Sequence, residues 1–295
     1  MRTTFCGLEL EHPVINGSGT FDAIAALRTF GDEVLERFPF AAFVSKTITL
    51  EPRQGNPPPR LWETAAGLIN SIGLPNKGLD GYLEHDLPVL TRLPVPLIVN
   101  VMGFTREEVA TLVEAVAARD EVAALELNVS CPNVESGLIM GADPAETAAL
   151  LERVRPLTGK PLIVKLTPNA TDPGAVAQAA QEAGADAVSL VNTLRGMALD
   201  PDTGEPWLGG RTGGVSGPAI RSIALAQVAD VAGRIDIPLV GMGGVERGAD
   251  AQALLRAGAA LVAVGTASFR DPLAGAGIAA ELDALLRKER ISAAL

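Results

Sequence analysis

Cysteine is scarce in this chain of 295 residues, which holds only Cys6 and Cys131. Two cysteines so far apart cannot build a disulfide framework, a four-cysteine zinc site or an all-cysteine iron–sulfur cluster. No metal site is expected, and such usage fits a reducing cytoplasm. Histidine is equally sparse: His12 and His85 share no motif, and neither is chosen as a base. Basic residues number 24 against 35 acidic ones, a formal net charge of −11. Nucleic acid is a poor partner for so acidic a surface, because backbone phosphates demand positive charge. Small anions respond to local charge and stay open. No run of about 18 apolar residues occurs, so no membrane span is expected. The opening MRTTFCGLELEHP has no apolar core of a secretory signal, and a cytoplasmic location is expected.

What is present is a large apolar fraction, 47%, beside 20% charged residues. A chain of this length can bury about three-quarters of the surface it exposes when unfolded. Short, nearly continuous apolar runs recur at 13–18, 41–46, 96–102, 124–130, 161–167, 186–192, 238–244 and 261–267. Such runs read as parallel strands buried on both faces. Helical patterns alternate with them at 105–119, 143–157, 172–185, 218–233 and 246–259. Thr105 caps the first, Asp-Pro pairs open the second and third, and Gly184 stops the third. Eight strand–helix units indicate an α/β fold, a (β/α)8 TIM barrel in one domain over 1–295. A doubly wound open sheet is the alternative, disfavoured by the strand count and the lack of a linker. Three connections, 47–77, 131–143 and 193–217, are longer than a barrel needs. All follow strands, which puts them on the C-terminal face where barrel active sites form.

The last two strands end in Gly241-Met242-Gly243-Gly244 and Gly265-Thr266, and Gly217 precedes a helix start. These glycines could be ordinary turns and caps. Paired on the last two strands, they suit a phosphate site better, since the backbone can approach the anion closely. Neither GMGGVE nor GSGTFD completes a dinucleotide fingerprint, so a mononucleotide such as FMN fits better than NAD or FAD.

Polar residues cluster at the other strand ends: Ser18, Lys46, Asn100, Asn128, Lys165 and Asn192. A lysine ending an apolar strand is costly unless paired or functional, although its ammonium could also snorkel to solvent. Asparagines offer a donor and an acceptor each, which suits a planar heterocycle with amide-like edges. Cys131, flanked by polar residues and Pro132, reads as reactive rather than as filler, whereas Cys6 reads as filler.

Read together, the segments NGSGT (16–20), SKTIT (45–49), NSIGLPNKG (70–78), NVSCPN (128–133), VKLTPN (164–169), VNTLRGM (191–197), GGVSGPAI (213–220), GMGGV (241–245) and GTA (265–267) resemble the dihydroorotate dehydrogenases nearly end to end. The cysteine at 131 resembles the soluble class 1 enzymes rather than the membrane-associated class 2, which carry serine there and an N-terminal extension. Ile72 in NSIGL, NTLRGM and GGVSGPAI resemble class 1B, the NAD-linked form. The resemblance implies oxidation of dihydroorotate to orotate in pyrimidine biosynthesis, with one FMN per chain across the barrel mouth. The FMN phosphate would meet Gly217, Gly243, Gly244, Gly265 and Thr266. Its ring would be approached by Ser18, Lys46, Thr47, Asn100, Asn128, Lys165 and Val191. The substrate would be held by Lys46, Asn70, Ser71, Ile72, Gly73, Leu74, Asn128, Asn133, Asn192 and Thr193. Cys131 would act as the base and Lys165 would offset charge on the reduced ring. A homodimer core with an electron-transfer subunit carrying FAD and an iron–sulfur cluster is implied, a heterotetramer. The alternatives are a fumarate-dependent class 1A enzyme and a Schiff-base aldolase barrel using Lys165.

Overall fold

The computed structural model describes residues 1–130 and 140–293. All eight apolar runs form strands: β1 (Val14–Asn16), β2 (Phe43–Val44), β3 (Leu97–Val101), β4 (Val122–Asn128), β5 (Leu162–Lys165), β6 (Ala187–Leu190), β7 (Leu239–Met242) and β8 (Leu261–Val264). They are parallel neighbours in the order β1-β8-β7-β6-β5-β4-β3-β2. The remaining seam, β1 to β2, is closed differently. The Ala41 N–H donates to Val14 O at 3.0 Å. Beyond it the wholly buried Asn16 side chain replaces a strand: it accepts from Val44 N–H and donates to Val44 O, both at 2.8 Å. A (β/α)8 barrel results, as the alternation of elements requires.

The helices form where sequence punctuation puts them. Thr105 Oγ1 accepts from Glu108 N–H at 3.1 Å and opens Arg106–Ala117. Asp143 and Asp172 do the same for Pro144–Val154 and Pro173–Glu182, through the N–H groups of Glu146 and Ala175. Each cap satisfies a donor that the first helical turn leaves free. The stretch at 218–233 starts as a 3-10 turn, Pro218–Ile220, before the α-helix Arg221–Ala232. Four more helical stretches complete the ring: Ala23–Phe30, where Asp22 Oδ1 accepts from Ala25 N–H at 2.9 Å, the segment 78–90 with a π-helical turn at Tyr82–Asp86, Gly248–Arg256, and Ala274–Ala293.

Two of the long connections are more ordered than their composition suggests. Leu61–Thr64, Gly67–Asn70, Leu194–Gly196 and Gly213–Ser216 join the 47–77 and 193–217 excursions in one four-stranded antiparallel sheet. Trp62 and Trp207 pack edge to face on it, 5.0 Å between centroids. An N-terminal hairpin, Thr3–Phe5 with Leu8–Leu10, plugs the opposite end of the barrel: Phe5 and Leu10 pack with Ile15, Ile98, Ala124, Ile163, Ala187 and Val240. Access to the interior is therefore left to the C-terminal face. Among the described residues no helix is long and apolar enough to cross a membrane.

Candidate active site

A cleft of about 870 Å³ opens at the C-terminal ends of the strands, a volume suited to a cofactor with a substrate beside it. Gly217, Gly243, Gly244, Gly265 and Thr266 line one end. Their glycine identity is a packing requirement at two points. Gly217, at φ +87°, would place a Cβ 2.8 Å from Gly67 Cα, and Gly244, at φ +71°, would place one 2.9 Å from Gly217 O. The two loops therefore touch backbone to backbone, and a side chain on either would push them apart and reshape the glycine-walled end. Thr266 Oγ1 donates to Ser216 Oγ at 2.9 Å, fixing the hydroxyls beside that end.

The rest of the lining carries the chemistry. Ser18, Lys46, Thr47, Asn128, Lys165 and Val191 face the cleft, as do Asn70, Ile72, Leu74, Asn192 and Thr193. Lys165 ends β5 and is only 6% exposed. Its Nζ donates to Ser18 Oγ at 3.1 Å and, among the described residues, pairs with no carboxylate. A buried ammonium with one neutral partner is costly, and a ligand offering an acceptor or a negative charge removes that cost. Lys46 stands exposed at the mouth, free to reach a carboxylate. Asn192 Nδ2 donates to Ser130 Oγ at 2.8 Å, and Asn70 Nδ2 to Gly214 O at 3.1 Å. The Asn192 carbonyl accepts from Thr193 N–H at 2.8 Å, while Asn70, among the described residues, keeps its carbonyl for another partner.

Three expected contacts are not part of the open lining. Asn100 is wholly buried, on the strand whose next inward residue, Met102, lines the cleft. Ser71 and Gly73 are outside the lining: Ser71 Oγ accepts from Asn56 Nδ2 at 2.9 Å, and Gly73 O accepts from Arg53 Nε at 3.4 Å. Cys131 and Asn133 lie outside the described residues. The structure also adds residues the sequence did not single out. Thr20, Phe21, Met102, Ser130, Ser216 and Met242 line the cleft, and Phe30, Leu61 and Phe269 form an apolar rim, each about half exposed. Thr20 and Ser216 sit inside recognised segments and could have been read there; the rim residues carry no such signal.

Neither histidine lines the cleft. His85 is exposed on the π-helical turn, and His12 accepts the Val14 N–H below the barrel. Cys6 sits in the hairpin turn at that same far end. Burial, with the Asp186 carboxylate second, pushes its thiol up to about 11. It is filler, as its surroundings in sequence suggest.

The family profile for dihydroorotate dehydrogenase matches residues 1–286. The chain belongs to the dihydroorotate dehydrogenase family. Among its relatives, a protein of Pelobacter propionicus named dihydroorotate dehydrogenase B (NAD(+)), catalytic subunit, is 45% identical over 99% of this chain and 95% of its own length. Proteins of the same name from Geobacter sulfurreducens and Desulforudis audaxviator are 44% and 45% identical, over 99% and 97% of this chain and 95% and 92% of theirs. Members of this family work with FMN, and the residues present fit that group. The glycine-walled end matches a phosphate, and Lys165 with its single neutral partner matches the electron-rich edge of a flavin ring.

Proposed function

We propose that this chain is the catalytic subunit of an NAD-linked dihydroorotate dehydrogenase, oxidising dihydroorotate to orotate for pyrimidine synthesis. One observation carries the reading. A single cleft joins a glycine-walled anion site to a buried Lys165, unpaired with any carboxylate among the described residues, and to three asparagine amides, Asn70, Asn128 and Asn192. The names of the relatives support the NAD-linked form over the fumarate-dependent one and disfavour a Schiff-base aldolase.

FMN, when bound, supplies the hydride acceptor. The phosphate would be held by Gly217, Gly243, Gly244, Gly265 and Thr266, and the ring by Ser18, Lys46, Thr47, Asn100, Asn128, Lys165 and Val191. The substrate's carboxylate is a partner for Lys46. Its ring amides find the carbonyl of Asn70 and the backbone of 72–74, with Asn128, Asn133, Asn192 and Thr193 alongside. Cys131 removes the proton from the carbon beside the substrate's carbonyl, its thiolate being the active form. Lys165 stands where negative charge would build on the ring. Holding the reactants in this arrangement is itself worth several kcal/mol of barrier. Electrons leave through a partner subunit carrying FAD and an iron–sulfur cluster, around a homodimer of this chain, in the cytoplasm.

The test is an acceptor panel on purified protein with dihydroorotate: fumarate, quinone, and NAD with and without the co-expressed partner. Turnover with NAD only when the partner is present is expected. Efficient reduction of NAD by this chain alone, or of fumarate, refutes the subunit assignment. Cys131→Ala should keep the yellow flavin and lose turnover by orders of magnitude.

A further inference from the structure

One acidic group of the barrel interior has no part in the chemistry above. Glu126 points inward from β4, two residues before Asn128, and is 3% exposed. A carboxyl group there is costly unless hydrogen-bonded. It has two donors: Ser189 Oγ at 2.8 Å and Asn100 Nδ2 on the neighbouring strand. The consequence falls on Asn100. An amide has a donor end and an acceptor end, and an acceptor-only neighbour decides which end it meets. With its NH2 on Glu126, the Asn100 carbonyl must face away. That Oδ1 is buried and, among the described residues, has no hydrogen-bond partner. The next inward residues along the same two strands, Met102 and Asn128, form the floor of the cleft.

We propose that Glu126 is a positioning residue of the flavin site, fixing the Asn100 amide so that its carbonyl is offered to the cofactor ring. The assignment rests on reading the cleft as the FMN site. An oxidised isoalloxazine carries a single ring N–H and several acceptors, so a protein acceptor suits only the N–H edge. A donor in the same place is mismatched there. Glu126 thus sets the polarity of the contact without touching the cofactor.

The test uses apo-protein and reads FMN affinity from quenching of flavin fluorescence. In Glu126→Gln the new amide can still accept from Ser189, but it turns its NH2 toward Asn100. Asn100 must then reverse and present a donor to the ring. A tenfold or greater rise in Kd is expected. The double variant Glu126→Gln with Asn100→Asp restores every hydrogen bond with polarity exchanged, and it again leaves an oxygen facing the ring. It should recover most of the affinity, which a merely structural role for Glu126 does not predict. An unchanged Kd for the single variant, or no recovery in the double, overturns the proposal. A second readout needs no variant. The ring N–H of 15N-labelled FMN bound to the parent should exchange slowly with solvent, and rapid exchange overturns the proposal as well. Failure of the parent to bind FMN sinks the reading of the cleft instead; tight binding without a polarity effect sinks only the role of Glu126.

Discussion

Replacing Asn16 by alanine unhooks the seam where the barrel closes. The side chain is fully buried and makes both hydrogen bonds to the backbone of Val44, which is itself 3% exposed. Truncation leaves one N–H and one C=O without partners in a dry interior. Each stranded group costs about 1–3 kcal/mol, so the loss is about 2–6 kcal/mol. That is a large part of the roughly 5–15 kcal/mol by which a domain is stable. Asn16→Asp is an informative companion. It can still accept from Val44 N–H but sets a carboxylate oxygen against Val44 O, and it should be at least as damaging despite its near-identical shape. The assay is urea unfolding followed by far-UV circular dichroism. A loss below about 1 kcal/mol for Asn16→Ala would show that water or a shifted strand replaces the side chain, and would refute the reasoning.

Asn76→Ala should raise KM for dihydroorotate more than it lowers kcat. Its side chain bonds to Thr49, Leu74 O and Gly78 N–H, tying the 70–74 segment to the strand end that carries Lys46; an unchanged KM in steady-state kinetics contradicts this. Alkylation of Cys6 at pH 8, followed by peptide mass spectrometry, should be slow in the folded protein, because a thiol at about 11 is only about one part in a thousand thiolate there. The rate should climb as pH approaches that value. Because the folded thiol ionises later than the unfolded one, this group disfavours the fold only above the ordinary thiol range. Thr105→Ala removes a capping bond and should cost about 1 kcal/mol in the same urea assay, with catalysis intact.

The barrel was legible because each strand is an almost unbroken apolar run and each of three helices begins at a Thr or Asp cap. The glycine end of the site was legible for a similar reason: no residue with a Cβ fits where Gly217 and Gly244 meet. Lys165 announced itself as a charge at the end of an apolar strand. The four-stranded sheet was hidden, because Gly67–Asn70 and Gly213–Ser216 are short, glycine-bearing and paired across more than 140 residues. No local pattern reports a partner that far away. Asn100 was legible as a strand-end amide, but its complete burial and its bond to Glu126 were not. Glu126 went unread within ALELNVS because an acidic residue between two leucines resembles an ordinary strand position until its neighbours are known.

The accessory sheet has a mechanical consequence. Gly67 lies so close to Ser216 that an added Cβ would come within 2.0 Å of its carbonyl oxygen. Three residues after Gly67 the chain reaches Asn70, and directly after Ser216 it reaches Gly217. The segment beside the reacting ring and the loop beside the anion are thus yoked as one stiff beam across the mouth of the barrel. Displacing either end would carry the other with it, because no slack separates the two strands.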